Sequence, residues 1–94
     1  MKILWTQSAR NDRNAIIDFI ALDDIDSALE LDAKITGVIS RLIDFPQQGR
    51  FGRVNGTREL ILHANYILVY EIIDDNIFIL SILHTSKQYP PLML

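Results

Sequence analysis

The sequence predicts an α+β fold in which a helical hairpin packs on an antiparallel sheet, with the element order β-α-α-β-β-β. Three observations predict it. Apolar residues recur at helical spacing through most of the first half of the chain. In the second half they fill short segments rich in Ile, Leu, Val and Tyr, which is typical of strands. Three glycines and a proline lie between the two halves and mark a loop.

The length of 94 residues fits a single domain spanning residues 1–94. A hydrophobic fraction of 49% with 22% charged residues is typical of a globular protein. The chain has no cysteine, which excludes a disulfide scaffold and a thiolate metal site and suits a reducing cytoplasm. No apolar run approaches the ~20 residues that cross a bilayer. We therefore expect a cytoplasmic protein with no membrane partner.

The first two elements are a short strand and a helix. Residues 2–6 have the composition of a strand, and the hydroxyl of Thr6 or Ser8 can cap a helix that follows. That helix is predicted because apolar residues recur at helical spacing, at Ala9, Ile16, Ile17 and Ile20.

A second helix begins after a break at residues 22–24. Asp24 can cap it, because a carboxylate accepts from the unpaired N–H groups of a first turn. Its apolar stripe consists of Ala28, Leu31, Ile35, Val38, Ile39 and Leu42. Pro46 ends this helix. The short connection predicts an antiparallel helical hairpin, and the stripe should pack on Trp5, Leu68 and Tyr70.

Residues 47–56 are predicted to be a loop, because three glycines interrupt them. The strands that follow are residues 57–63, 65–73 and 76–84. Turns at 63–65 and 74–76 join consecutive strands, which should therefore pair antiparallel. Two helices cannot cover both faces of this apolar sheet, so we expect an apolar sheet face to be left for a partner.

The net charge of −3 argues against a nucleic-acid binder, because such proteins usually carry a basic excess. The charges are unevenly placed, however. Residues 50–58 contain three arginines and no acidic residue, namely Arg50, Arg53 and Arg58. It could form a local basic patch on an acidic protein.

One set of side chains has the chemistry of metal-free RNA cleavage, in which a cation stabilises the phosphate while a histidine or tyrosine moves a proton. The set consists of Arg50, Arg53, Arg58, His63, His84, Lys87 and Tyr89. Alternatively, the arginines are simply solvated, and Arg58 and His63 point to opposite faces unless a bulge intervenes. The chain has no metal-ligand spacing and no phosphate-binding glycine loop, so we expect no metal and no cofactor.

Four motifs together resemble the RelE/ParE superfamily of toxins from bacterial type II toxin–antitoxin modules. They are W-T-x-x-A at 5–9, P-x-x-G-R-x-G-R-V-x-G-T-R-E-L at 46–60, N-Y-I-L-V-Y at 65–70 and L-H-T-S-K-Q-Y-P at 83–90. They span nearly the whole chain and occur in the order found in the family. The fold that this resemblance implies, two N-terminal helices on an antiparallel sheet, agrees with the periodicity.

The resemblance implies one of two activities. RelE-like members cut mRNA on the ribosome without a metal, through basic residues on the sheet, whereas ParE-like members inhibit DNA gyrase and carry no nuclease site. At two of the basic positions of RelE-like toxins this chain has Leu60 and Ile67. The residues that could act in a nuclease are Arg58, His63, His84, Lys87 and Tyr89.

We therefore expect a type II toxin that inhibits gyrase in the ParE-like manner and is neutralised by a cognate antitoxin in a hetero-oligomeric complex. In that case Arg50, Arg53 and Arg58 would contact a partner protein. The first alternative is a RelE-like mRNA endoribonuclease that acts on the ribosome. The second is a small protein-binding module without toxicity.

Overall fold

A computed structural model of the chain describes residues 1–63, 65–86 and 89–90. A short strand, β1 (Lys2–Trp5), precedes two helices, α1 (Gln7–Asp23) and α2 (Ile25–Asp44). Four strands follow, β2 (Arg50–Phe51), β3 (Thr57–His63), β4 (Tyr66–Ile73) and β5 (Asn76–His84). They form one sheet with the strand order β1-β5-β4-β3-β2.

The prediction of a helical hairpin packed on a sheet is confirmed, with two differences. The sheet is mixed, because β1 pairs parallel with β5 while β2 to β5 pair antiparallel. The element order also contains one more strand, since β2 lies within the segment 47–56 that the sequence analysis assigns to a loop. Two residues are too few to show a strand periodicity, so only the pairing with β3 reveals β2.

The ends of the helices follow the predicted caps. The Thr6 hydroxyl accepts from the Ala9 N–H at 3.1 Å and donates to the Ile79 carbonyl at 2.9 Å, so it ties the start of α1 to β5. The Asp24 N–H donates to the Ile20 carbonyl at the end of α1, while its carboxylate accepts from the Ser27 N–H at the start of α2. One residue therefore ends one helix and caps the next.

The predicted core lies between the hairpin and the sheet. The α2 side chains Leu31, Ile35, Val38 and Leu42 are buried there. They belong to one cluster with Leu68 and Tyr70 of β4, and Trp5 and Ile39 pack against it. The stripe read from the sequence is thus the face of α2 that contacts the sheet.

The expectation of an open apolar sheet face is wrong for the centre of the sheet. On the face away from the helices, Ile67, Val69 and Leu83 are already buried, and Leu80 and Tyr89 pack against them. The physical reason is that the chain after β5 brings Tyr89 back onto this face. Exposed apolar side chains remain at the margins of this face, at Leu4, Ile61 and Ile73.

Neither helix of the described residues is long and apolar enough to span a bilayer.

Candidate functional site

Two arginines of the predicted set meet a buried carboxylate. β2 places Arg50 opposite Glu59 of β3, so both side chains lie on the sheet face away from the helices. Arg50 Nη2 lies 3.3 Å from Glu59 Oε1, and Arg53 Nε lies 3.3 Å from Oε2. The Glu59 side chain is 2% exposed, whereas those of Arg50 and Arg53 are 60% and 39% exposed. A buried anion therefore lies beneath two arginines that reach solvent.

The environment of Glu59 keeps its side chain charged. Burial alone would raise the pKa of this carboxyl, because a low dielectric disfavours the anion. The Arg53 N–H, which donates to Oε2 at 3.0 Å, and the guanidinium groups of Arg53 and Arg50 outweigh burial and lower the pKa below its ordinary value. At neutral pH the two arginines are therefore held by a full negative charge.

Arg58 lies on the other face of the same strand. It pairs in register with Tyr70, which is part of the core beneath the helices. Its Nη1 donates to the Gly49 carbonyl at 2.8 Å, and its guanidinium lies over the ring of Phe51, 4.6 Å from the centroid. The Phe51 ring is 82% exposed. The alternation of side chains along β3 thus separates Arg58 from Arg50 and Arg53.

The two histidines lie at the other end of the strands. His63 of β3 and His84 of β5 both pair with Tyr66 of β4, so the three side chains form one row across the sheet. The rings of His84 and Tyr66 meet edge to face, with centroids 5.3 Å apart. His84 Nδ1 accepts from the Ser86 N–H at 3.1 Å, and the Ser86 hydroxyl lies 2.7 Å from the same nitrogen.

The structure does not combine the arginines and histidines into one site. His63 lies four positions after Glu59 along β3, which corresponds to about 13 Å at ~3.3 Å per residue. A register shift between Ile61 and His63 supplies the bulge that could turn Arg58 and His63 to one face. Even so, these residues are five positions apart, which places their backbones about 16 Å from each other along the strand.

Tyr89 lies away from the histidine row, on the sheet face that carries Glu59. It packs against Ile67, Val69 and Leu83. Burial, reinforced by the Glu59 carboxylate, raises the pKa of Tyr89, so its phenol is neutral at physiological pH. Lys87, the remaining member of the predicted set, lies outside the described residues.

The two apolar positions singled out by the resemblance are packing positions. Leu60 packs on the core beneath the helices, and Ile67 is 4% exposed on the opposite face. Within the part of the chain that the structure describes, no group of three His, Cys, Asp or Glu side chains could hold a metal ion.

Two features of the structure lie outside the residues predicted from the sequence motifs. Glu59 carries a signal in retrospect, because it is the only acidic residue between Asp44 and Glu71. The second feature is a set of large apolar side chains on the hairpin that lie off the core stripes and are 62–88% exposed. Its members are Phe19, Leu22, Ile25 and Leu29.

Comparison with known proteins identifies relatives over nearly the whole chain. The family model described as the ParE toxin of the type II toxin–antitoxin system parDE matches residues 3–89. Y4kP, a candidate toxin of Sinorhizobium fredii, is 36% identical over 93 residues, which cover 98% of this chain and 96% of that protein. Toxin RelE2 of Caulobacter vibrioides is 26% identical over 86 residues, covering 92% and 97% of the two chains.

A solved structure also shares the fold. It is described as the chromosomal ParDE toxin–antitoxin system from P. aeruginosa. It superposes with a TM-score of 0.77 at 27% identity, over 92% of this chain and 97% of the other.

Proposed function

Because the chain belongs to the ParE toxin family of type II toxin–antitoxin systems, we propose that it arrests growth by inhibiting DNA gyrase rather than by cutting RNA. The observation that carries the proposal is the pairing of Arg50 and Arg53 with the buried Glu59. A nuclease needs guanidinium groups free to stabilise the charge that develops on a phosphate. Here the Glu59 carboxylate already pairs with both guanidinium groups, and its negative charge would repel a phosphate.

Two further features support a non-nuclease mechanism. At Leu60 and Ile67, where RelE-like toxins carry basic side chains, this chain has apolar side chains packed in the two cores. His63 and His84 are also far from Arg50 and Arg53, so neither histidine can move a proton beside these two guanidinium groups. General acid–base catalysis requires both groups within hydrogen-bond reach of the reacting atoms.

The arginines retain a role as contacts to a target protein. Glu59 holds Arg50 and Arg53 from beneath, while their outer surfaces remain open to solvent. The exposed ring of Phe51 stacks on the half-buried guanidinium of Arg58 at the neighbouring edge of the sheet. Arginine and aromatic side chains are enriched at the energetic centres of interfaces, and a guanidinium fork binds carboxylates in a bidentate manner. We therefore assign the target contact to Arg50, Arg53 and Arg58.

A cognate antitoxin completes the proposed function. The similarity to a ParDE toxin–antitoxin system supports such a partner for this chain. An antitoxin that binds the folded toxin but not the unfolded chain would stabilise the toxin by mass action. The toxin would therefore be inactive, and harder to unfold, while the antitoxin is bound.

Two assays on the purified toxin test the mechanism. We expect it to inhibit supercoiling by gyrase and to leave mRNA intact on programmed ribosomes. Cleaved mRNA with unaffected gyrase would replace this proposal by the RelE-like alternative, in which the row of His63, Tyr66 and His84 would supply the proton transfer. No effect in either assay, together with normal growth on induction, would instead indicate a protein-binding module.

A further inference from the structure

The outer edge of the sheet carries two exposed aromatic rings that the core does not use. β2 is the last strand in the sheet order, and Phe51 on this strand is 82% exposed. Phe45, which caps the end of α2, is 63% exposed. Its ring lines a hollow of about 340 Å³ together with Pro46, Gln47 and Gln48.

Arg58 connects the two rings. Its guanidinium lies 4.6 Å from the centroid of the Phe51 ring, and its Nη1 donates to the Gln47 carbonyl at 3.2 Å. Gln47 in turn lines the hollow beside Phe45. The rings therefore belong to one surface rather than to scattered exposed positions, and a contiguous apolar patch with a polar rim is typical of an interaction site.

Buried hydrogen bonds hold the backbone beneath these rings in place. The Tyr70 hydroxyl accepts from the Gly49 N–H at 2.9 Å and donates to the Pro46 carbonyl at 2.7 Å. Arg58 also donates to the Gly49 carbonyl at 2.8 Å. The segment between α2 and β2 is thus fixed before a partner arrives. A preorganised surface loses less conformational freedom on binding, so more of its contact energy contributes to affinity.

The charge of this edge indicates what the partner carries. Residues 45–58 contain three arginines and no acidic residue, although the whole chain has a net charge of −3. β2 places Arg50 on one face of the sheet and Phe51 on the other, where it pairs with Arg58. Guanidinium groups therefore lie on both sides of the edge. A partner that covers it must combine an apolar recess with carboxylates, because complementary charge sets specificity and association rate.

We propose that Phe51 anchors the target contact by entering an apolar recess on gyrase, and that acidic side chains surround this recess. The proposal rests on the proposed function, because it assumes that gyrase is the target. An aromatic anchor within a polar rim is the arrangement in which a few residues carry most of the binding energy. The toxin side of the contact, the edge surface, comprises Phe45, Gln47, Arg50, Phe51, Arg53 and Arg58.

The exposed rings favour a protein surface over duplex DNA as the occupant. Phosphates would pair with the arginines and position the toxin on a duplex. Such contacts would leave the rings of Phe45 and Phe51 in solvent, whereas an apolar recess on a protein would bury them.

Removal of the exposed ring tests the anchor. We expect Phe51→Ala to need at least ~10-fold more toxin than the unmutated chain for half-inhibition of supercoiling, the loss typical of an interface anchor. Phe51→Tyr keeps the ring and should retain inhibition. Phe19→Ala is the matched control, because Phe19 is 72% exposed on α1, which packs on α2 and β5. The assay contains no antitoxin, and circular dichroism checks that each variant is folded.

A charge placed on the edge surface tests the acidic character of the partner. Gln47 is exposed, and Arg58 bonds to its backbone carbonyl, so its side chain can be replaced without breaking that contact. Gln47→Glu should weaken binding to purified gyrase, whereas Gln47→Lys should retain or tighten it. Gln7→Glu makes the same change in net charge at an exposed position of α1 and should leave the affinity unchanged. Titration calorimetry with DNA-free gyrase gives the affinities, and equal values for Gln47→Glu and Gln47→Lys would overturn the acidic rim.

Three outcomes separate the edge surface from the proposed function. If the unmutated chain neither binds nor inhibits gyrase, the proposed function fails and this target contact fails with it. If the unmutated chain inhibits gyrase, but Phe51→Ala inhibits as strongly as Phe19→Ala, the proposed function stands and the anchor is wrong. If the unmutated chain shifts duplex DNA in a gel without gyrase, and Phe51→Ala abolishes that shift, the occupant is a nucleic acid and the proposal is overturned.

Discussion

At the scale of single residues, Glu59 connects stability to charge. Its buried carboxylate fixes Arg50, Arg53 and the loop between β2 and β3 through one backbone and two side-chain partners. Glu59→Gln keeps the shape but removes the charge, and a hydrogen bond to a charged group contributes about 1.5–3 kcal/mol. Because both arginines are partly solvated, we expect the unfolding free energy to fall by about 1 kcal/mol at pH 7. Urea denaturation measures this loss.

The same residue predicts the sign of a pH dependence. The folded pKa of Glu59 lies below its ordinary value near 4.5, so the folded state binds fewer protons than the unfolded state. Its contribution to stability is complete above that ordinary value and is lost as the pH falls through the lower folded pKa. The difference in unfolding free energy between the unmutated chain and Glu59→Gln should therefore shrink towards pH 3. A difference that stays constant with pH would contradict the lowered pKa of Glu59.

A second contact at the scale of single residues depends on Gly49 having no side chain. The Gly49 N–H donates to the Tyr70 hydroxyl at 2.9 Å, and that hydroxyl donates to the Pro46 carbonyl at 2.7 Å. A Cβ at position 49 would lie 2.7 Å from the Tyr70 oxygen and 3.0 Å from the Glu59 carbonyl. Gly49→Ala should thus destabilise the chain by about 1–3 kcal/mol through strain and the lost hydrogen bonds.

Gly37→Ala is the opposite control, because a Cβ there meets nothing within 4 Å. Position 37 lies inside α2, where alanine is favoured over glycine by about 0.8–1.0 kcal/mol. Thermal melts of the two variants should therefore shift in opposite directions. A melting temperature that is unchanged or raised in Gly49→Ala would mean that position 49 tolerates a side chain.

At the scale of elements, α2 provides most of the helical contribution to the core. Ile35 is fully buried at the centre of its stripe. Ile35→Ala should cost about 2–5 kcal/mol, through lost transfer free energy and the cavity that remains. Leu29→Ala on the same helix is the control, since Leu29 is 62% exposed and its truncation should change the denaturant midpoint little.

Side chains from one element also hold another in place. Arg13 of α1 donates to Asp32 of α2 at 2.8 Å and lies over the Trp5 ring at 5.3 Å, which links both helices to β1. The Asp12 carboxylate accepts from the Ser81 hydroxyl and the Ile82 N–H, beside the register shift between β4 and β5. The hairpin is therefore fixed to the sheet by polar contacts as well as by its apolar stripe.

At the scale of the whole molecule, the proposed mechanism predicts which substitutions abolish growth arrest. Arg50→Ala and Arg53→Ala should weaken toxicity, because they remove guanidinium groups that face solvent. His63→Ala, His84→Ala and Tyr89→Phe should have modest effects. In a nuclease, loss of a general acid or base would lower the rate by about 10²–10⁴. Induced growth scored beside circular dichroism of each variant separates the two expectations, and a folded but harmless His84→Ala protein would contradict ours.

Local patterns in the sequence by themselves determined every element of this protein except the two-residue strand β2. The period of the apolar residues, the caps at Thr6 and Asp24 and the turn at Asp74 are properties of neighbouring residues, and the structure reproduces each of them. The core stripe of α2 followed from the same periodicity. The four motifs likewise pointed to the toxin family from residues close together in the chain.

Only the tertiary structure decided how distant segments combine. It paired β1 with β5, placed Glu59 beneath Arg50 and Arg53, and turned the face expected to be open into a covered one. It also brought Ile20 of α1, Leu31 of α2 and Tyr66 of β4 together around one hollow. Each of these depends on strand order, register and the return of the chain after β5, which arise from long-range packing and leave no periodic trace in the sequence.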